Sequence, residues 1–474
     1  MGPYLRMPVE RRSAAIASRG WGLALGALTV LLAAAGVASA TPGALTQLAD
    51  PDGCVSHDGS GGDCADGRAL ESPASLAVSP DGKHVYVAST GSDAVAVLSR
   101  DTVTGALTQL ADPDGCVSDN GTGGVCGDGT ALVGPVSVAV SRDGKNVYVT
   151  TQISNAVATF RRDRTTGVLT QLAGLAGCVS QDGSAGTCAD GKGLDRPYSV
   201  AVSPDGKHVY VASEFSNAVA AFRRNTTTGA LTQLAGLDGC VSETGTGGEC
   251  AGGRALKEAR SIAVSPDGKH VYVASEASNA VAAFLRNKVT GALTQLAGTN
   301  GCVSETGTSG DCADGDALLG AVSVAVSPDG KHVYVAALGS DAVAAFLRNK
   351  TTGALTQLAG TNGCVSEDGT GGVCADGTGL AGARAVTVSR DGRHVYVASL
   401  TGDAVAVFSR NKATGVLTQL ADPNACVSED GSSGACADGK ALDGARSVAV
   451  STDGKHVYVG SSNSKAVAAF TRAR

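Results

Sequence analysis

The last 434 residues of this 474-residue chain are seven copies of a 62-residue unit, with no insertion or deletion in any copy. The copies begin at Thr41, Val103, Thr165, Thr227, Val289, Thr351 and Ala413, and the seventh ends at Arg474. Cys54, Cys116, Cys178, Cys240, Cys302, Cys364 and Cys426 keep the same spacing, and each is followed ten residues later by a second cysteine. A fixed period of this length belongs to solenoids, propellers and arrays, where each unit buries its apolar face against the next. Repetition of this kind specifies architecture. A unique site has to be sought where one copy departs from the others.

Each unit carries four strand signals separated by turn chemistry. In the first copy they are Ser75–Ser79, His84–Ala88, Ala94–Leu98 and Ala106–Leu110, with Pro80-Asp81-Gly82 turning between the first two. Pro pre-sets φ for such a turn and Gly accepts positive φ. The first three strands are apolar on both faces, which requires neighbours on both sides. The phase of the repeat decides between an open stack and a ring. Residues 41–474 start with a fourth strand, Ala44–Leu48, and end with strands one to three. The two partial sets complete one blade, so the expected fold is an all-β, closed seven-bladed β-propeller in which the N-terminal strand completes the C-terminal blade.

The run Val78-Ser79-Pro80-Asp81-Gly82-Lys83-His84-Val85-Tyr86-Val87-Ala88, then Asp93-Ala94-Val95 and Thr104-Gly105-Ala106-Leu107, resembles the lactonase-like seven-bladed propellers. It is also similar to the overlapping exported propellers whose blades carry a Tyr-Val-Thr-Asn motif, which Tyr148-Val149-Thr150-Thr151 approaches most closely. The resemblance covers all seven blades and rests on scaffold residues. It implies the fold, and a family that includes enzymes opening or closing lactone rings. It marks no catalytic position on this chain.

Residues 1–40 read as an export signal. Arg6, Arg11, Arg12 and Arg19 lead an apolar run from Trp21 to Val37, and Ala38-Ser39-Ala40 supplies a cleavage site. Cleavage removes the only Trp and both Met and leaves 33 basic against 43 acidic residues, a balance of −10. The expected product is a secreted, periplasmic or cell-surface monomer of bacterial type with no membrane span. Its net charge speaks against nucleic acid or an anionic membrane as partner.

Paired cysteines in an exported chain indicate disulfides. The simplest scheme joins each pair within its own loop: Cys54–Cys64, Cys116–Cys126, Cys178–Cys188, Cys240–Cys250, Cys302–Cys312, Cys364–Cys374 and Cys426–Cys436. Pairing between neighbouring loops is the alternative. No cofactor is expected, and the cysteine spacing does not suit zinc. Structural calcium is the rival use of Asp58, Asp63 and Asp66, but the Asp58 and Asp63 positions lose their carboxylates in several other copies. Caps of Asp-Gly turns are the favoured role.

No hydrolase elbow, zinc-protease motif, phosphate loop or dinucleotide fingerprint is present. Six of the seven histidines occupy one repeat position, from His84 to His456, and read as scaffold; His57 stands alone as a surface residue. The Lys83 ring and the Asp81 ring are expected to neutralise each other on a solvated rim. The third and fourth copies depart from the rest. Tyr198 and Arg260 replace small residues just before the inner strand, and Arg196 and Glu258 precede them by two positions. Glu214 and Glu276 stand in the facing turns, and Arg384 and Arg446 repeat the Arg260 position. Arg260, Glu258 and Tyr198 are the catalytic candidates; Arg196, Glu214, Glu276, Arg384 and Arg446 are the ligand-binding candidates. An Arg steadying an oxyanion and a desolvated Glu acting as base would make this mouth a hydrolytic site. Two functions follow: a rigid binding module for a small molecule or extracellular partner, presenting its stapled loops on one face, or a lactonase-like hydrolase working at the channel mouth.

Overall fold

The computed structural model describes residues 41–474, and in it every 62-residue repeat contributes strands to two sheets rather than one. Blade 1 begins with the inner strand Pro73–Val78, turns at Gly82 (φ +72), and continues through His84–Ser89 and Ala94–Arg100. The second repeat then adds Leu107–Gln109, Cys116–Ser118 and Gly127–Asp128 to the same sheet before it starts blade 2 at Pro135. The offset between repeat and blade is what closes the ring. Leu45 pairs with Arg472 and Cys54 with Ala468, so strands of the first repeat complete blade 7, whose inner strand is Ala445–Val450.

Each sheet has six strands, two more than the sequence pattern shows. The outer edge of the third strand is shared: Leu107–Gln109 pairs with Leu98–Arg100, and Cys116–Ser118 pairs with Ala94–Ala96. The final two residues, Gly127–Asp128, run parallel to Cys116–Ser118. The cysteine-bearing connection is thus partly sheet. All seven disulfides join cysteines within one connection, with Cα–Cα distances of 4.6–4.8 Å. In the intervening turn the Asp58 carboxylate accepts the Ser60 N–H, and Asn120 and Asp182 do the same in their copies. His57 accepts the Leu70 N–H in its loop, a post held by Asp119, Gln181 and Glu243 in the next three copies. It is loop scaffold.

Adjacent blades interlock through large-on-small packing. Tyr210, Ala212, Val219 and Ala221 of blade 3 meet Ile262, Val271, Val273 and Phe284 of blade 4 in one buried cluster. Burial of each such large side chain stabilises the fold by about 1.5–3 kcal/mol relative to exposure.

A second interlock is polar. Arg286, the last residue of its third strand, is buried and reaches back to blade 3. Its Nε donates to the Tyr210 hydroxyl at 2.8 Å and its Nη2 to both oxygens of Asp205 at 2.9–3.0 Å. The same Nη2 lies 2.7 Å from Nδ1 of His208, and the Tyr210 hydroxyl donates onward to the Gly291 carbonyl. Arg100, Arg162, Arg224, Arg348, Arg410 and Arg472 hold equivalent posts between the other blades. A guanidinium has no acceptor, so the imidazole must be neutral and accept. Asn146 confirms this, taking the same bond from Arg224 with a side chain that cannot ionise. Burial, and next the guanidinium, hold the histidines below their ordinary value, with His270 and His332 near 4. Burial alone would raise the aspartates; the Ser203 hydroxyl and Arg286 outweigh it and bring Asp205 to about 2.

The histidine ring is scaffold, as its repetition implies. The neutral rim is corrected: the Asp81 ring is bound to buried arginines, and the Lys83 ring stays exposed with no carboxylate partner among the described residues. The export signal read at residues 1–40 lies outside the described residues. Among the described residues no helix is long and apolar enough to cross a membrane. Seven disulfides indicate an oxidising extracellular or periplasmic environment.

Candidate site at the loop-side channel mouth

At the end of the channel away from the arginine interlocks, the disulfide-bearing connections meet the turns between second and third strands. Backbone bonds join them, as from Glu214 N–H to the Arg196 carbonyl and from Glu276 N–H to that of Glu258. Two local features aim side chains into this mouth. The inner strands skip a pairing between their first and third residues, and the skipped residue is Tyr198, Arg260, Arg384 or Arg446 in blades 3, 4, 6 and 7. A bulge of this kind redirects the unpaired side chain. The residue before the inner strand lies in the left-handed region; it is Gly134, Gly320, Gly382 or Gly444 in four blades but Arg196 (φ +53) and Glu258 (φ +53) in blades 3 and 4. Non-glycine residues held there store about 1–3 kcal/mol of strain each, which accumulates at functional sites.

The structure brings all eight candidates together, in two groups. On the blade 3–4 side Arg260 is enclosed by acids. It donates to Glu214 at 2.9 Å, and its Nη2 lies 3.9 Å from Glu258. Its Nε lies 2.6 Å from Glu276 Oε2, near enough for an ion pair although the angle is wrong for a hydrogen bond. Arg196 pairs with Glu214 at 3.2 Å and stacks on Phe215 at 4.6 Å. Glu214 is buried, and that burial raises its pKa against the pull of Arg260 and Arg196. Glu258 is the most exposed of the three acids and the farthest from Arg260.

The second group spans the channel. Tyr198 of blade 3 accepts hydrogen bonds at its hydroxyl from Arg384 of blade 6 and from Arg446 of blade 7, the latter at 3.1 Å. Arg260 lies over its ring at 4.6 Å and Arg384 at 5.6 Å. Burial alone would raise the phenol pKa; Arg384, Arg446 and Arg260 together outweigh it and lower it below 10.0. Arg384 and Arg446 have no carboxylate partner among the described residues.

These two arginines open onto a cleft of about 600 Å³ shared with Leu400, Thr401, Asp403, Asp443, Ser462 and Asn463. Asp403 accepts the Gly444 N–H at 2.7 Å, and Asn463 donates to Asp443 at 2.9 Å. Burial and then the neighbouring Asp443 raise the Asp403 pKa above 3.8. Sequence reading missed this acid pair. The Asp403 position is Asp or Asn in six copies and so looks like scaffold, while Asp443 shares its position with Asp195 and gives no separate signal. Among the described residues no group of three or more His, Cys, Asp or Glu side chains has the arrangement of a metal site.

The family model described as "Lactonase, 7-bladed beta-propeller" matches residues 56–178, 254–429 and 373–474. The chain belongs to that family. No curated protein sequence matches it. Among solved structures it is similar to a protein from Bacteroides uniformis described as a candidate 6-phosphogluconolactonase. That pair has 22% identity and a TM-score of 0.51, over 73% of this chain and 83% of that one. Hydrazine synthase of Kuenenia stuttgartiensis aligns at 17% identity and TM-score 0.51, over 86% of this chain and 97% of that one. A protein of unknown function from Desulfotomaculum acetoxidans aligns at 15% and 0.52, over 82% and 92%. At these identities the likeness concerns the fold alone.

Proposed function

We propose that this exported propeller of the lactonase family binds a small hydroxylated lactone, or the hydroxy acid derived from it, at the loop-side mouth and hydrolyses the ring ester. The observation that carries the reading is the pair Arg384 and Arg446. Among the described residues their guanidiniums are bound only to the Tyr198 hydroxyl, at the edge of a polar cleft. Buried arginines elsewhere in the molecule have carboxylate partners; these two are free to take an anionic oxygen.

The chemistry follows from the neighbours. Thr401, Ser462 and Asn463 supply groups that match the hydroxyls of a sugar-like substrate. The carbonyl oxygen lies toward Arg384 and Arg446. The Asp403–Asp443 pair takes a proton from water as the water oxygen adds to the carbonyl carbon. The negative charge that develops on the carbonyl oxygen is held by the two guanidiniums. Collapse breaks the ring C–O bond, the leaving oxygen takes up the proton, and the product is a hydroxy acid. Arg260, already bound to Glu214 and Glu276, positions Tyr198 rather than substrate.

The binding-module reading keeps one specific support: seven equivalent stapled loops with open space at their tips, where a side chain added at Gly61 or Gly123 would meet nothing within 4 Å. It predicts ligand capture without turnover. The test is a pH-stat assay of oxidised protein against sugar and aliphatic lactones, with the Arg384→Ala, Arg446→Ala double variant alongside. Turnover lost in the double variant supports the hydrolase and its site. Turnover retained moves the chemistry elsewhere, and no turnover on any lactone favours the module.

A further inference from the structure

The face opposite the candidate site carries a charge that the composition of the chain conceals. It is built from the turns after the inner strands and the turns after the third strands. The Lys83 position gives seven exposed cations, the Arg164 position five, Arg161 and Arg223 two, and Arg142 and Arg390 two more. The Asp81 ring belongs to the buried arginine interlocks, which leaves Asp101 and Asp163 as the opposing carboxylates. Their oxygens accept N–H groups of their own turns. The face therefore holds a surplus of about fourteen positive charges, on a chain whose described residues sum to −10.

Two further observations say what such a face fits. Arg142 and Arg390 replace the turn proline of other blades and line a central depression of about 620 Å³ to which all seven blades contribute. Neither has a partner among the described residues. The cations thus form a two-dimensional array centred on the axis rather than a stripe. At the tips of the outer turns Val103 is 78% exposed and Val289 86% exposed. An apolar tip projecting from a basic surface is useful at a lipid interface, where it enters the headgroup layer, and has no role against a soluble polyanion. A single-stranded nucleic acid would call for exposed aromatic rings to stack on; the exposed Phe215 is on the opposite side.

We propose that this basic face docks the propeller flat on an anionic lipid bilayer, with the disulfide loops and the channel mouth directed away from the membrane. Each basic residue held near an anionic surface strengthens binding about fivefold, and salt screens the attraction within about 10 Å at 0.1 M. The inference stands independently of lactone chemistry.

The experiment is vesicle co-sedimentation of the oxidised protein on phosphatidylglycerol–phosphatidylcholine vesicles and on pure phosphatidylcholine. Binding to the anionic vesicles alone, released by 0.5 M salt, is the expected result. Lys207→Glu with Lys269→Glu and Arg223→Glu weakens it about a hundredfold, whereas Lys257→Glu on the loop side leaves it unchanged. Val103→Asp with Val289→Asp weakens vesicle binding about tenfold and leaves retention on sulfated polysaccharide or DNA as it was. No binding to anionic vesicles at low salt overturns the proposal. So does retention on a soluble polyanion that matches vesicle binding and ignores the valine changes, which would identify a polymer as the partner.

Discussion

Two sets of arginines sit at opposite ends of this propeller and follow opposite rules. At the turn side, seven arginines from Arg100 to Arg472 occupy one repeat position, are buried, and each pairs with an aspartate of the preceding blade. At the loop side Arg260, Arg384 and Arg446 occupy a position that is apolar or Tyr in the other blades, and among the described residues only Arg260 of the three has carboxylate partners. Identity across copies marks the side chains that hold blades together. Departure from identity marks the side chains left over for a ligand. The first set should control stability and leave chemistry alone, and the second should do the reverse.

Acid gives the largest effect on the first set, because it acts at nearly every interface. The interlocking histidines are held below their unfolded value of 6.5, so the unfolded chain gains protons that the folded one refuses. Their contribution is complete above pH 6.5 and is lost as pH falls from 6.5 toward about 4, where His270 and His332 titrate in the fold. Aspartates such as Asp205, held near 2, add a further loss below their ordinary value of 3.8. Thermal melts from pH 8 to pH 3 should show a descent beginning near pH 6.5. A flat profile down to pH 4 would break the account of neutral imidazole acceptors.

A single interlock comes next. Arg286→Met leaves the partly exposed Asp205 without its cation and removes the charged hydrogen bonds that join the two blades, and should destabilise by about 1.5–3 kcal/mol, read from denaturant midpoints, while lactone turnover per folded molecule stays unchanged. Removing one oxyanion-binding cation commonly lowers turnover about a hundred- to a thousandfold. Arg384→Ala with Arg446→Ala should do at least that, with a change in stability of under about 1 kcal/mol. The pH–rate profile should rise through a value above 3.8, since Asp403 must be ionised to act as base. A profile set instead by a group titrating near neutrality would remove the acid pair from the mechanism. The smallest effect tests the strained mouth. Glu258→Gly relieves a left-handed backbone and forfeits only a long ion pair, so the melting temperature should rise by an amount matching about 1 kcal/mol.

The ring was legible in the period, and its closure in the incomplete strand sets at the two ends. The two extra strands per blade were not. Cys116–Ser118 is only three residues long, and Gly127–Asp128 has no apolar pattern, so neither leaves the alternation that betrays a strand. The interlocking arginines were overlooked because a charge at a strand end looks like a solvated terminus. Arg100 is in phase with buried Leu98, however, and stays Arg in every copy while the preceding position runs through Ser, Arg, Leu and Thr. That contrast is a property of the sequence itself. The mouth residues were found as departures from the repeat, but their partners were not. Tyr198 meets Arg384 and Arg446 across the channel, and contact between residues 186 and 248 positions apart depends on the diameter of the closed ring.

The most direct measurement sets the two kinds of arginine against each other on one ligand. Isothermal titration with an aldonate should be made on the parent protein, on Arg286→Met and on Arg384→Ala with Arg446→Ala, each checked for folding by circular dichroism. The account predicts that Arg286→Met binds like the parent despite its lower stability, and that the double variant is fully folded and does not bind. A double variant that binds the aldonate as tightly as the parent would contradict the assignment of the unpaired arginines to the site.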